Sequence, residues 1–220
     1  MTSTPPDDLL RLANRPAIGR LPEAGSAGGR VKSVLLAGVG GQGILLASNI
    51  LARAALLSGR DVKTNEVHGM AQRGGSVVAE IRFGPKVHSP LIAPGGADVL
   101  AALEETEALR YASYLAPGGL AVVSTLRLIP TSVSSGLAKY PPDLEEKLRQ
   151  SFRRLKFVDA AAAAERTGGS KTLNLVILGA VSPGLDFEEA VWLEAIELCV
   201  KPKFLDPNLK AFGLGRRLTD

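Results

Sequence analysis

The sequence has one cysteine among its 220 residues. Cys199 alone excludes an internal disulfide, a cysteine-ligated zinc site and an iron–sulfur cluster held by this chain unaided. Aromatic residues are scarce at 5%, whereas glycine fills 24 positions, which suits close packing of helices on a sheet. No apolar run approaches the roughly 18 residues that a membrane helix needs. The opening MTSTPPDDLLRLANRP has no basic start leading into an apolar stretch, so no secretory signal is expected. These absences point to a cytoplasmic protein.

At 45% hydrophobic and 22% charged residues, what remains is an ordinary globular composition. The length fits one large domain, or one domain with tails, and is enough to bury a substantial core. The net charge is +4, but it is unevenly placed. Residues 1–30 contribute +1, residues 200–220 contribute +3, and residues 31–199 are neutral. A nucleic-acid-binding face would cluster Lys and Arg with stacking aromatics. The excess here sits in the tail, which reads as a basic docking or solvated segment.

Along the chain, residues 1–30 hold four Pro and four Gly and end in Gly25-Ser-Ala-Gly-Gly29, the pattern of a flexible N-terminal arm with a short helix at Leu9–Ala13. A domain over 31–200 follows, then a basic C-terminal helix or tail over 201–220. Val34–Ala37 reads as a strand buried on both faces. Ile44 to Leu57 places Ile44, Leu45, Ala47, Ile50, Leu51, Ala54 and Leu57 at helical spacing. Further strands are predicted at Asp61–Val67, Ser76–Phe83, Asp98–Leu103, Leu120–Ser124 and Phe157–Val158. Helices are predicted near Glu104–Tyr114, Asp143–Arg153, Ala160–Arg166, Thr172–Val181, Phe187–Val200 and Pro207–Gly213. Thr125–Tyr140 reads as a loop, and Asp186 with Glu189 reads as a capping box. The alternation of elements predicts a Rossmann-like open, mainly parallel α/β sheet with helices on both faces.

Two segments have the composition of a site. Gly38-Val39-Gly40-Gly41-Gln42-Gly43 follows a strand and opens a helix, the context in which such a motif offers backbone N–H groups to an anion. Gly38, Gly40, Gly41, Gln42 and Gly43 are therefore candidate cofactor-binding residues, the alternative being tight strand–helix packing alone. A dinucleotide domain needs an acid at the end of its second strand. Asp61 stands at the wrong end, and Glu66 abuts the next motif. That motif, His68-Gly-Met-Ala-Gln-Arg-Gly-Gly75, lies at the edge where open α/β sheets bind ligands. Arg73 offers a planar fork for carboxylate or phosphate, His68 a proton or a hydrogen bond, and Gln72 further polar reach. Gly74 and Gly75, also candidate cofactor-binding residues, permit φ > 0 or close approach of another chain. The competing reading pins Arg73 to Glu66 or Glu80 in a structural turn. No metal site is expected: His88 reads as a loop histidine and Cys199 as core packing. Ser124 and Thr125 end a strand as ligand or turn residues, and Asn174 reads as a satisfied buried polar group.

Taken together, GVGGQG, NEVHGMAQRGGSVVAEIRFG, PGG before a strand, Asn174 with Leu178-Gly179-Ala180, and KPKFLDPNLKAFGLG resemble the gamma-type domain of 2-oxoacid:ferredoxin oxidoreductases. Within that family the likeness runs to the small (beta) subunit of the indolepyruvate enzymes, over about residues 31–214. The resemblance implies a subunit in an oxidative decarboxylation of a 2-oxoacid to an acyl-CoA, with electrons passed to ferredoxin. Thiamine diphosphate and iron–sulfur (4Fe–4S) clusters would belong to a larger alpha subunit, since this chain has one cysteine and no GDG-type thiamine motif. Coenzyme A would reach the shared interface. Carried onto this sequence, Gly40–Gly43 would be an anion-binding turn and His68–Gly75 a loop facing the partner's active site. Arg73 would meet a carboxylate or a CoA phosphate. Two rival readings stand beside it: a free-standing NAD(P)- or FAD-binding oxidoreductase domain, and a non-catalytic homodimeric scaffold.

Overall fold

The computed structural model describes residues 29–69, 74–128 and 142–218. The arm over 1–28 with its proposed helix, most of the Thr125–Tyr140 loop, and Gln72 and Arg73 lie outside the described residues. Six strands form one sheet in the order β2-β3-β1-β4-β5-β6. They are β1 (Lys32–Val39), β2 (Asp61–His68), β3 (Ser76–Gly84), β4 (Ala97–Ala102), β5 (Leu115–Ser124) and β6 (Leu155–Val158). The helices are α1 (Ile44–Leu57), α2 (Glu105–Arg110), α3 (Leu144–Ser151), α4 (Ala160–Glu165), α5 (Leu173–Val181), α6 (Glu189–Cys199) and α7 (Leu205–Arg217).

β1 is central because its run Ser33–Gly38 is buried on both faces, the signature of a strand covered from both sides. It pairs in parallel with β4, and β4–β5 and β5–β6 are parallel too. β3 runs antiparallel to both of its neighbours. The mainly parallel sheet is thus as expected, with a hairpin inserted at one side. The reason is length: only residues 69–75 separate β2 from β3, and a parallel crossover needs a dozen or more.

Two apolar layers enclose the sheet. On one face Val34, Leu36, Val77, Ala79, Ile81 and Phe83 meet α1, α5, α6 and α7. On the other, Leu35, Ala37, Val78, Leu100 and Ala102 meet α2 and α3. α1 turns Ile44, Ala47, Ile50, Leu51 and Ala54 inward, but Leu45, predicted on the same face, is 40% exposed. Cys199 is half-buried against the first layer, and burial raises its thiol pKa.

Three local readings need correction. β5 begins at Leu115 rather than Leu120. The Pro117-Gly118-Gly119 segment is looped out of the ladder, so that Ala97 faces Leu115 while Val99 faces Leu120. Proline has no N–H to give the ladder, and the extra residues bulge where it stands. The helix at Glu104–Tyr114 ends at Arg110, with a separate 3-10 turn over Ala112–Tyr114. Asp186 does not cap α6: Glu188 occupies that position without a side-chain cap bond. Asp186 instead takes a left-handed φ of 53° and pairs with Lys32, a conformation Asp tolerates better than most residues.

α5 is buried around its whole circumference, as a helix apolar on every side must be. It lies against α7 at unusually short range. A Cβ on Gly179 would fall 2.2 Å from the Phe212 carbonyl oxygen, and one on Gly215 would fall 2.0 Å from that of Val176. α7 buries Ala211, Phe212 and Gly215 in this contact, while Lys210 pairs with Asp206 at the surface. Gly215→Ala should therefore destabilise the fold by about 2–3 kcal/mol through overpacking, seen as a Tm lowered by roughly 4–12 °C. Gly184→Ala, whose Cβ meets nothing within 4 Å, should change little. Equal effects of the two in a thermal melt would contradict the close helix contact.

Asp61 ties the start of β2 to the segment before β4. Its carboxylate accepts from the Val87 N–H at 2.8 Å and faces Lys63 and Lys86. The Val87 hydrogen bond, then the lysines, hold its pKa below the ordinary 3.8. A depressed folded pKa contributes stability above the unfolded value, and that contribution disappears as pH falls through the folded value. Asp61→Asn should thus be destabilising at neutral pH and less so at about pH 3. Urea unfolding at both pH values checks this; a pH-independent difference would refute it.

Candidate functional site

At the carboxyl end of β1 the chain turns sharply into α1. Gly41 and Gly43 adopt φ of 102° and 80°, values that side-chain-bearing residues rarely take. Gln42 folds back inside the turn. Its Oε1 accepts from the Val39 N–H at 2.7 Å, and its Nε2 donates to the Leu103 carbonyl at 3.0 Å. Gly38 leaves the room for this, since a Cβ there would sit 2.7 Å from the Gln42 Oε1. Gln42, grouped by its motif with ligand-contacting residues, has its amide committed to main-chain partners and braces the turn against the end of β4.

Gly40 is committed as well: its N–H donates to the Gly75 carbonyl at 2.8 Å. The N–H of Gln42 closes onto Val39 O. Gly41 and Gly43 carry N–H groups without a partner among the described residues, and the first-turn N–H groups of α1 are free by helix geometry. No acidic side chain occupies that first turn. The result is a cluster of unpaired donors at the positive end of a 14-residue helix, an arrangement that favours an anion.

Asn174 of α5 reaches this turn, a connection its apolar surroundings in the sequence conceal. It is 2% exposed, its Nδ2 donates to the Gly43 carbonyl at 3.0 Å, and its Oδ1 has no hydrogen-bond partner. The expectation of a satisfied polar group holds for half of the amide. A Cβ on Gly43 would lie 2.6 Å from the Asn174 Nδ2, so the asparagine and the glycine require each other.

Facing the turn is the hairpin. His68, Val77 and Gly38 stand abreast on neighbouring strands, which brings the two sequence motifs together. Between them opens a cleft of about 470 Å³, lined by Gly40, Gly41, Gly43, Ile44, Leu45, His68, Gly69 and Val77. Gly74, with φ of 74°, and Gly75 return the chain to β3. Leu45, at 40% exposure, leaves apolar surface at the opening.

The opposite side of the turn is acidic. Glu104, Glu105 and Glu107, all at most 5% exposed, follow directly after β4. Burial pushes the Glu104 carboxyl above the ordinary range, against the N–H groups of Glu107 and Leu128 that donate to it. The boundary between β1 and β4, where an open α/β sheet reverses direction and ordinarily takes a nucleotide, is therefore closed by Gln42 and flanked by carboxylates. The cleft lies on the β3 and β2 side instead. Of the remaining candidates, Ser124 is buried and accepts from the Leu126 N–H at 3.2 Å, a turn role. Thr125 and His88 are exposed. Among the described residues no group of three or more His, Cys, Asp or Glu could hold a metal ion, and no helix is long and apolar enough to cross a membrane.

Residues 33–218 match the family described as pyruvate ferredoxin/flavodoxin oxidoreductase. An indolepyruvate oxidoreductase subunit IorB from Thermococcus kodakarensis is 44% identical over 188 residues, covering 83% of this chain and 93% of the relative. A 2-oxoglutarate synthase subunit KorC from Methanothermobacter thermautotrophicus is 30% identical, covering 85% and 94%. Among solved structures, the gamma subunit of a keto/oxoacid ferredoxin oxidoreductase from Geobacter sulfurreducens superposes with a TM-score of 0.64 at 25% identity, over 86% of this chain and 98% of that one. The fold also recurs, with a TM-score of 0.65 at 21% identity, over 87% of this chain and 31% of a 2-oxoglutarate:ferredoxin oxidoreductase from Magnetococcus marinus, solved with 2-oxoglutarate, coenzyme A and succinyl-CoA bound. The chain belongs to the pyruvate ferredoxin/flavodoxin oxidoreductase family.

Proposed function

We propose that this chain is the small subunit of a cytoplasmic 2-oxoacid:ferredoxin oxidoreductase that converts an arylpyruvate such as indolepyruvate to its acyl-CoA. The arylpyruvate preference is supported by the names of its 44%-identical relatives. The larger alpha subunit would hold thiamine diphosphate and the iron–sulfur clusters and pass electrons to ferredoxin. One cysteine is too few for a cluster, so the donor set of this chain suits a supporting role. Thiamine diphosphate, when bound to the partner, supplies the carbanion stabilisation that decarboxylation requires.

The observation that carries the proposal is the set of N–H groups at Gly41, Gly43 and the start of α1 without a partner among the described residues, on one wall of an open cleft whose other wall is His68 and Gly69. Coenzyme A fits this chemistry, for its phosphates are anions that backbone donors at a helix N-terminus bind without a countercharge. Gly74 and Gly75 would let the partner's surface approach, and Arg73 would meet a carboxylate or a CoA phosphate. His68 and Gln72 would supply hydrogen bonds from the same loop. The arm over 1–30 and the basic segment over 201–220 would flank the gamma-type domain at 31–200.

A free-standing NAD(P) or FAD domain is disfavoured by the carboxylates and the Gln42 brace at the β1–β4 boundary, and by the engagement of Asp61 with Val87. A homodimeric scaffold predicts assembly without turnover. The test is anaerobic capture of the tagged chain from its native extract, with the eluate assayed for iron, thiamine diphosphate and arylpyruvate- and CoA-dependent viologen reduction. A large partner carrying all three is expected; a lone homodimer without them would refute the proposal. In the captured complex, Arg73→Ala should leave assembly intact and lower turnover by about a hundredfold. A stable complex with unchanged turnover would remove Arg73 from the site.

A further inference from the structure

Of the acidic trio, Glu107 is bonded to β3 beside the glycine turn. It stands on α2 at 5% exposure, and its Oε2 accepts a hydrogen bond from the Ser76 hydroxyl. The Tyr111 hydroxyl lies 3.3 Å from the same Ser76 oxygen. Its Oε1 accepts from the Arg110 Nε at 3.1 Å, and its own N–H is fixed by the Glu104 carboxylate at 3.0 Å. Both oxygens of Glu107 are thus held, which is the condition under which a buried carboxylate is rigid rather than merely costly.

Ser76 is the first residue of β3 and pairs with Val39, the last residue of β1. Its carbonyl accepts from the Gly69 N–H at 2.9 Å, and the preceding carbonyl, that of Gly75, accepts from the Gly40 N–H at 2.8 Å. Moving Ser76 therefore moves both sides of the cleft. One path leads to Gly69 beside His68, the other to Gly40 and so to the donors of Gly41 and Gly43. We propose that Glu107 is a positioning residue: through Ser76 and Gly75 it sets the orientation of the turn that receives the phosphate of coenzyme A. This rests on the reading of the cleft as the CoA site.

In the complete complex with the partner subunit, Glu107→Ala and Ser76→Ala should each raise KM for CoA by about tenfold, the loss of one buried charge-assisted hydrogen bond, with kcat changed less than KM. The double variant should be no worse than the worse single one, because both remove the same bond. Glu107→Gln keeps a carbonyl oxygen for the serine and should stay within about threefold of the parent KM. Gly41→Val serves as the direct test of the cleft: space around a Cβ there is open, but a φ of 102° is one a branched residue does not adopt, so the turn must shift. If Gly41→Val raises KM for CoA while Glu107→Ala and Ser76→Ala leave it unchanged, or act additively or only on complex yield, the positioning role is overturned. If Gly41→Val itself leaves KM unchanged, the cleft reading fails and the role falls with it.

Discussion

Close backbone approach around α5 is the constraint on which the remaining architecture depends. Gly179 and Gly215 let α5 and α7 touch main chain to main chain, and this places Asn174, near the other end of α5, against the carbonyl of Gly43. The C-terminal helix is thereby tied, through one buried helix and one amide, to the turn at the opposite side of the first apolar layer. A side chain at any of the three glycines would separate elements that must be in contact. The scarcity of aromatics and the abundance of glycine are the composition this geometry requires.

The same turn divides the carboxyl edge of the sheet into two electrostatic halves. Toward β4, the Gln42 amide bridges to Leu103, and buried carboxylates begin α2, two of them paired with Arg110 and Arg127. Toward β3 and β2, the Gly41 and Gly43 N–H groups, without a partner among the described residues, stand in the wall of an open cleft. On the proposed function an anionic ligand would enter on the hairpin side, where helix N-terminal donors favour it. The exposed Leu45 at the opening suits a site completed by another subunit.

Much of this was legible in the residues. The strand–glycine turn–helix unit follows from periodicity, its helix bounds as read and its strand two residues longer at each end, and the carboxyl edge as the place of the His68 motif follows from its position after the second strand. Three features escaped for physical reasons. The hairpin reversal is encoded in the shortness of the 69–75 connection rather than in any motif. The bulge at Pro117–Gly119 imitates a strand start, because proline and glycine punctuate turns and bulges alike. Leu45 imitates a core position, since helical spacing cannot tell the apolar face of a core from the rim of a cleft. The bracing roles of Gln42, Asn174 and Glu107 depend on contacts across 61, 131 and 31 residues of chain, and no local pattern records them.

On the proposed function this chain supplies an anion-receiving turn to an active site shared with a larger subunit. Amide hydrogen exchange on the assembled complex, with and without coenzyme A, reads that turn residue by residue. CoA should slow exchange at Gly41, Gly43 and the first turn of α1, with little change over α6 and α7. Protection confined to other segments, with the Gly41–Leu45 amides exchanging as before, would contradict it.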